Sequence, residues 1–342
     1  MGTYLTNDKM SPELKARIEA SVRAGRPASA RLAGPPPVAR AALRLVTMTA
    51  IVGCIIALGW RWQQDRDQLE TARGQLVAEH ATATAPLAER APEKVAAVHR
   101  WLAKVSGLYR DDHVATRLRR AGGLDRELSR GALYLRGPQD AIRSGKRRPA
   151  AIAESQKDAF VTCLVSPPPS AEEKALIPTV AATYRGTPPS PQRQARIHPL
   201  KILLAAQPVL DASWSDALAS AASVAELSER RRDLERADLG RAAKAVEAEL
   251  LVYVIDEPKK PDTPAEVDGA HDHMVRVGIV DLATSKELLR MRRRVEPSWI
   301  SESHRVDYAR GLNACRLAVD VRDALSPPEP APEPNAVQAA AK

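Results

Sequence analysis

An uncharged apolar run, Leu45 to Trp60 (LVTMTAIVGCIIALGW), constrains this chain more than any other feature. Sixteen residues are short for a membrane span, but a start at Ala41 gives twenty, with Arg44 in the first turn. A helix of that length covers about 30 Å, the hydrocarbon thickness of a bilayer. Arg44 can bend its stem back to the headgroups. Trp60 and Trp62 stand at the other end, where amphipathic rings favour the interface. The sequence thus predicts one transmembrane helix. The competing reading is a buried core helix in a soluble intracellular protein, because the run sits near the lower length limit.

Charge orients the span. Residues 1–44 hold eight cations against three acids, and only Arg61, Arg66 and Arg73 follow closely on the far side. Excess Lys and Arg mark the cytoplasmic side. The expected organisation is a basic cytoplasmic tail at 1–40, the span at 41–60 and a juxtamembrane helix and linker at 61–92. An exported domain at 93–325 and a disordered Pro-rich tail at 326–342 complete it. A cleaved signal peptide fits poorly, since its n-region would run about forty residues. Ile51-Val52-Gly53-Cys54 resembles a lipoprotein box, but Ile55 to Leu58 stay apolar where a lipoprotein turns polar. A retained span is expected, not lipidation of Cys54. The Ala and Arg richness fits a GC-rich bacterial genome, so the expected location is a bacterial inner membrane.

The net charge of +9 is not a nucleic-acid footprint: beyond residue 44, 43 cations face 39 acids, a mixed surface. Aromatics are only 4%, so core volume must come from Leu, Val, Ile and Ala. The cysteines Cys54, Cys163 and Cys315 are too few for a disulfide scaffold and lack zinc spacing. Cys163 and Cys315 fall in the region expected to be exported, where a disulfide between them can persist.

Residues 11–24 read as a short helix capped by Ser11, with Leu14, Ile18 and Val22 on one stripe. Gly34 to Pro37 is a stiff spacer. Thr82 to Pro92 reads as a linker, and 93–106 as a helix with Val95, Val98, Leu102 and Val105 on one face. Ala132 to Leu135 is a short strand and Ala159 to Val165 a stronger one. Ser170 caps a helix toward Tyr184, which Pro178 should kink or stop. Residues 214–247 read as one long helix. Leu250 to Ile255 is apolar on both alternating faces, hence a central buried strand. Met274 to Leu282 and Glu287 to Val295 form a hairpin, and the last helix runs from about Ser303 to Leu325. The expected fold is α+β, a small, mostly antiparallel sheet packed with helices.

His271-Asp272-His273 is the nearest thing to a metal site, with Glu266 or Asp268 nearby, but a third fixed ligand cannot be identified. Arg290, Arg292 and Arg294 alternate along one strand and share a face, where they offer anion contacts or shield an edge strand. Val161, Cys163 and Val165 share a strand face, and Cys315 lies on the apolar stripe of the last helix, which makes their bridge plausible on burial. Arg230-Arg231-Arg232 sits among acids at helical spacing and needs no ligand. Gly145 to Arg148 lacks the aromatic platforms of single-strand binders. No HExxH, Walker loop, GxGxxG or GxSxG occurs, and scattered Ser, His and Asp define no triad. No catalytic residue, cofactor or nucleic-acid partner is assigned. The expectation is a membrane-anchored, non-enzymatic binding or scaffolding module with an envelope protein or the cell wall as partner. A membrane-anchored envelope hydrolase is the alternative.

Overall fold

The computed structural model describes residues 37–259, 269 and 271–326, together with Pro12, Glu13, Ala16, Arg17, Glu19 and Ala20; side chains are described from Leu45 in the first long helix. Those six N-terminal positions are helical, and the rest of the helix expected at 11–24 lies outside the described residues. So do Glu266, Asp268, the spacer at 34–36 and the tail after Ser326. The chain divides into two units, Met1–Gln68 and Leu69–Lys342.

Helix α1, Pro37–Thr84, contains the apolar run. It is the one helix among the described residues that is long and apolar enough to cross a membrane. The run is bare: Leu45 is 70% exposed and Trp60 69%. The Thr49 hydroxyl donates to the Leu45 carbonyl at 2.8 Å, so this polar group bonds to its own helix.

The second unit is built on a six-stranded mixed sheet ordered β1-β6-β5-β4-β2-β3. Its strands are β1 (His113–Val114), β2 (Ala132–Pro138), β3 (Ile197–Pro199), β4 (Leu250–Asp256), β5 (His273–Asp281) and β6 (Lys286–Val295). The β1–β6, β6–β5 and β5–β4 pairs are antiparallel, while β4–β2 and β2–β3 are parallel. All seven β4 residues are buried, as a strand with apolar residues on both faces requires. Even-numbered β4 residues, such as Val252 and Val254, face one core and odd ones, such as Leu251 and Ile255, the other.

Helices cover both faces. One core takes α2 (Arg90–Val105), α4 (Gln139–Arg143), α5 (Arg148–Glu154), α9 (Lys201–Leu210), α10 (Ala212–Ala219), α11 (Val224–Arg236) and α12 (Leu239–Val246). The other takes α3 (Gly123–Leu128), α6 (Ala159–Val165), α7 (Glu173–Tyr184) and α13 (Glu302–Leu325), with the short α8 (Pro191–Gln194) beside α6. Leu76, Leu87 and Ala91 are buried in the first core, so the stretch read as a linker packs instead.

Three expectations are corrected. Ala159–Val165 is a helix, not a strand. The Asp158 carboxylate accepts the Phe160 N–H at 3.2 Å and caps it. All seven residues are buried between neighbouring helices and the sheet, which erases the one-sided pattern that marks a helix. The single helix over 214–247 is three. Ser223 caps α11 by accepting the Glu226 N–H at 3.3 Å, and Glu226 reaches back to the Ala222 N–H at 2.9 Å. Asp238, at φ 45°, caps α12 through the Arg241 N–H. Finally, α7 reaches the expected end at Tyr184, with Pro178 inside the helix instead of stopping it early.

Gly278 is dictated by packing. It pairs with Tyr253 across β4 and β5, and a Cβ at this position would lie 2.2 Å from the phenol ring. Gly278→Ala is therefore expected to destabilise the second unit by about 1–3 kcal/mol. Urea unfolding measures this, and Tyr253→Leu in the same chain should return most of the loss. Equal losses with and without Tyr253 would remove the steric account.

Candidate functional site

At the carboxyl ends of β2 and β4 sits a buried ionic centre. Arg136 and Asp256 lie on the same face of adjacent parallel strands, and His273 opens β5 on that face. The Arg136 guanidinium donates from Nε to Asp256 Oδ2 at 3.1 Å and from Nη2 to Oδ1 at 3.0 Å. Its Nη1 donates to Asp158 at 3.0 Å, and Asp158 also accepts from the Tyr134 hydroxyl at 2.8 Å. The Arg136 backbone N–H donates to Ser155 Oγ at 2.8 Å.

Electrostatics follow from this geometry. Burial alone would push the Asp256 carboxyl up; the Arg136 charge and the His273 hydrogen bond hold it below the usual carboxylate range. Burial would lower His273, but the bond to Asp256 raises it above an ordinary imidazole. Arg136 stays charged, since two carboxylates outweigh its desolvation. The charged groups of the centre are paired with one another, and backbone groups of His271 and Phe160 take up further bonds of His273 and Asp158. This suits a rigid polar core rather than a reactive one.

Both ring nitrogens of His273 are engaged: Nε2 with Asp256 at 3.2 Å and Nδ1 with the His271 carbonyl at 2.9 Å. His273 is buried while His271 is exposed, and no cluster of three or more metal-ligating side chains occurs among the described residues. The pair therefore does not converge as ligands.

Arg290, Arg292 and Arg294 do share a face of β6, and each has carboxylate partners. Arg290 bonds Glu287 at 2.7 Å, Arg292 bonds Glu257 at 3.1 Å, and Arg294 bonds Asp272 at 2.9 Å. The Tyr109 ring lies 5.5 Å from the Arg276 guanidinium and 5.7 Å from that of Arg292. Cys163 of α6 and Cys315 of α13 are joined in a disulfide, Cα–Cα 5.2 Å, inside the second core.

Among the described residues a Ser–His–Glu group occurs on the surface. Ser301 Oγ lies 3.0 Å from His304 Nδ1, and Glu173 Oε1 lies 2.6 Å from the same nitrogen. A proton relay needs the serine and the carboxylate on opposite ring nitrogens. Here both meet Nδ1, and Glu173 also accepts the Ser301 N–H at 3.0 Å. The group ties α7 to the start of α13.

A cleft of about 550 Å³ lies against the outer side of the first core. His99 of α2, Pro149 and Ala153 of α5, Lys201, Leu204 and Ala205 of α9, and Arg236 to Arg241 between α11 and α12 line it. Sequence reading missed it, although Lys201 lies two residues past the end of β3, and ligands gather at the carboxyl ends of parallel strands. Cations crowd this corner. Burial lowers His99, as does Arg148. Burial also lowers Lys157 and His198, and Arg241 pushes both in the same direction.

The chain is thus an α+β protein with one long apolar helix on its N-terminal side. No known family model, curated protein or solved structure matches it.

Proposed function

We propose that this chain is a single-pass bacterial inner-membrane protein whose second unit is an exported, non-enzymatic binding or scaffolding module of the cell envelope. The carrying observation is the bare apolar run of α1, which ends on Trp60 and is followed by Trp62. The cation excess before the run supports a cytoplasmic N-terminus. The Cys163–Cys315 bridge fits an oxidising compartment. The mutually paired centre and the shared Nδ1 of His304 speak for binding over hydrolysis.

A reporter active only outside the cytoplasm, fused at Pro327, should be active, and the protein should resist alkaline extraction from membranes. Activity of a cytoplasm-specific reporter alone at that position would reverse the orientation. Release by alkali would remove the anchor.

A further inference from the structure

We propose that the cleft beside His99 binds an amphipathic monocarboxylate, an organic acid with an apolar body. The inference rests on the reading of the second unit as a binding module and gives that module a ligand class. The walls are apolar, with Pro149, Ala153, Ile202, Leu204, Ala205 and Ala237. A cavity of about 550 Å³ has the size of a small-molecule site.

The charges are unbalanced in one direction. Lys201, Arg236 and Arg241 line the cleft with one acid, Asp238. That acid is already engaged: it accepts the Arg241 N–H at 3.3 Å and pairs with the Arg241 guanidinium at 3.4 Å. Arg236 pairs with Asp233 at 3.3 Å. Lys201 is half-buried and has no ion-pair partner among the described residues. An ammonium partly withdrawn from water and lacking a counter-ion is the group a bound carboxylate would neutralise. His99 adds a second open position. Its Nδ1 is sealed from solvent without a partner, so only Nε2 can meet a ligand in the cleft, and Nε2 too makes no hydrogen bond within the described protein. Burial and Arg148 keep the imidazole neutral, so it can donate one N–H to an anion.

The same features select against other ligands. One unneutralised lysine suits one negative charge, not a polyphosphate, and no Gly-rich loop borders the cleft. An alkylamine would meet the surrounding cations.

The test is calorimetry on the full chain in zwitterionic nanodiscs, with empty nanodiscs as blank. The probes are 3-phenylpropanoate, 3-phenylpropanol and 3-phenylpropylamine. The carboxylate should bind saturably at one site, the alcohol about tenfold more weakly or worse, and the amine not at all. Lys201→Gln should weaken the carboxylate about tenfold, and Ala205→Trp, which fills the cleft from an exposed position, should abolish binding. Arg119→Gln, far along the chain in an exposed loop, should change nothing. Circular dichroism confirms that each variant is folded. Absence of saturable heat, equal binding of the alcohol, or full affinity in either cleft variant overturns the proposal. Such a result with an active reporter at Pro327 removes the ligand and leaves the topology; an inactive reporter with intact binding does the reverse.

Discussion

Replacing Cys163 or Cys315 with alanine is expected to cost about 5 kcal/mol of unfolding free energy. The two cysteines are 152 residues apart in sequence, and closing so long a loop removes much of the freedom of the unfolded chain. Both side chains are buried, so the variant also loses packing between α6 and α13. Urea unfolding of the full chain, with and without reductant, measures the effect. The wild type in reductant should unfold at nearly the same urea concentration as the variants. Coincident curves for oxidised wild type and variants would mean that the bridge contributes nothing to the native state.

Arg136→Met is expected to cost about 3–5 kcal/mol, because it leaves Asp256 buried with only His273 beside it. The pH dependence gives a second readout. In the wild type the Asp256 carboxyl is depressed, so its contribution is present above about pH 4 and is lost as pH falls through its folded pKa. His273 is raised, so its contribution is full below about pH 6.5 and is lost as pH rises through its folded pKa. Without Arg136 the Asp256 carboxyl rises, and the variant's deficit should shrink toward pH 4 and be largest near pH 8. Arg136→Met/Asp256→Leu should regain part of the loss, since no unpaired carboxylate then remains on β4. A deficit under about 1 kcal/mol, or one that does not change with pH, would contradict the charge-pairing account.

What the sequence made legible follows from how each element is buried. β4, the β5–β6 hairpin and α13 were readable because apolar residues recur at strand or helix spacing over most of their length. α6 was not, because a short helix enclosed on every side looks like a buried strand. β1 and β3 have two and three residues, too few for any pattern, and exist through pairing with longer neighbours. The breaks near Ser223 and Asp238 were hidden by apolar residues that keep helical spacing across them, although Ser223 and Glu226 form a visible capping pair. The ionic centre was invisible for a different reason. Arg136 and Asp256 are 120 residues apart, and only the parallel alignment of β2 with β4 makes them neighbours. The cleft likewise draws on four separate stretches of chain. The bridge joins helix to helix rather than strand to helix, and Cys163 meets the core because no side of α6 faces water.

The alignment of β2 with β4 raises a question of indexing. A strand with one wet face cannot slide by one residue without turning oil toward water, so its alternation fixes its position. β4 has no such protection. Leu250 to Ile255 are apolar without interruption, and a one-residue slip would leave both cores supplied with side chains of similar character. The fit of Tyr253 over Gly278 would not survive the slip, and neither would Asp256. It would turn to the opposite face, leaving the Arg136 fork and the His273 ring without their anion. With the Tyr253–Gly278 fit, the centre thus acts as a notch in the rail, with one setting in which all three groups mesh.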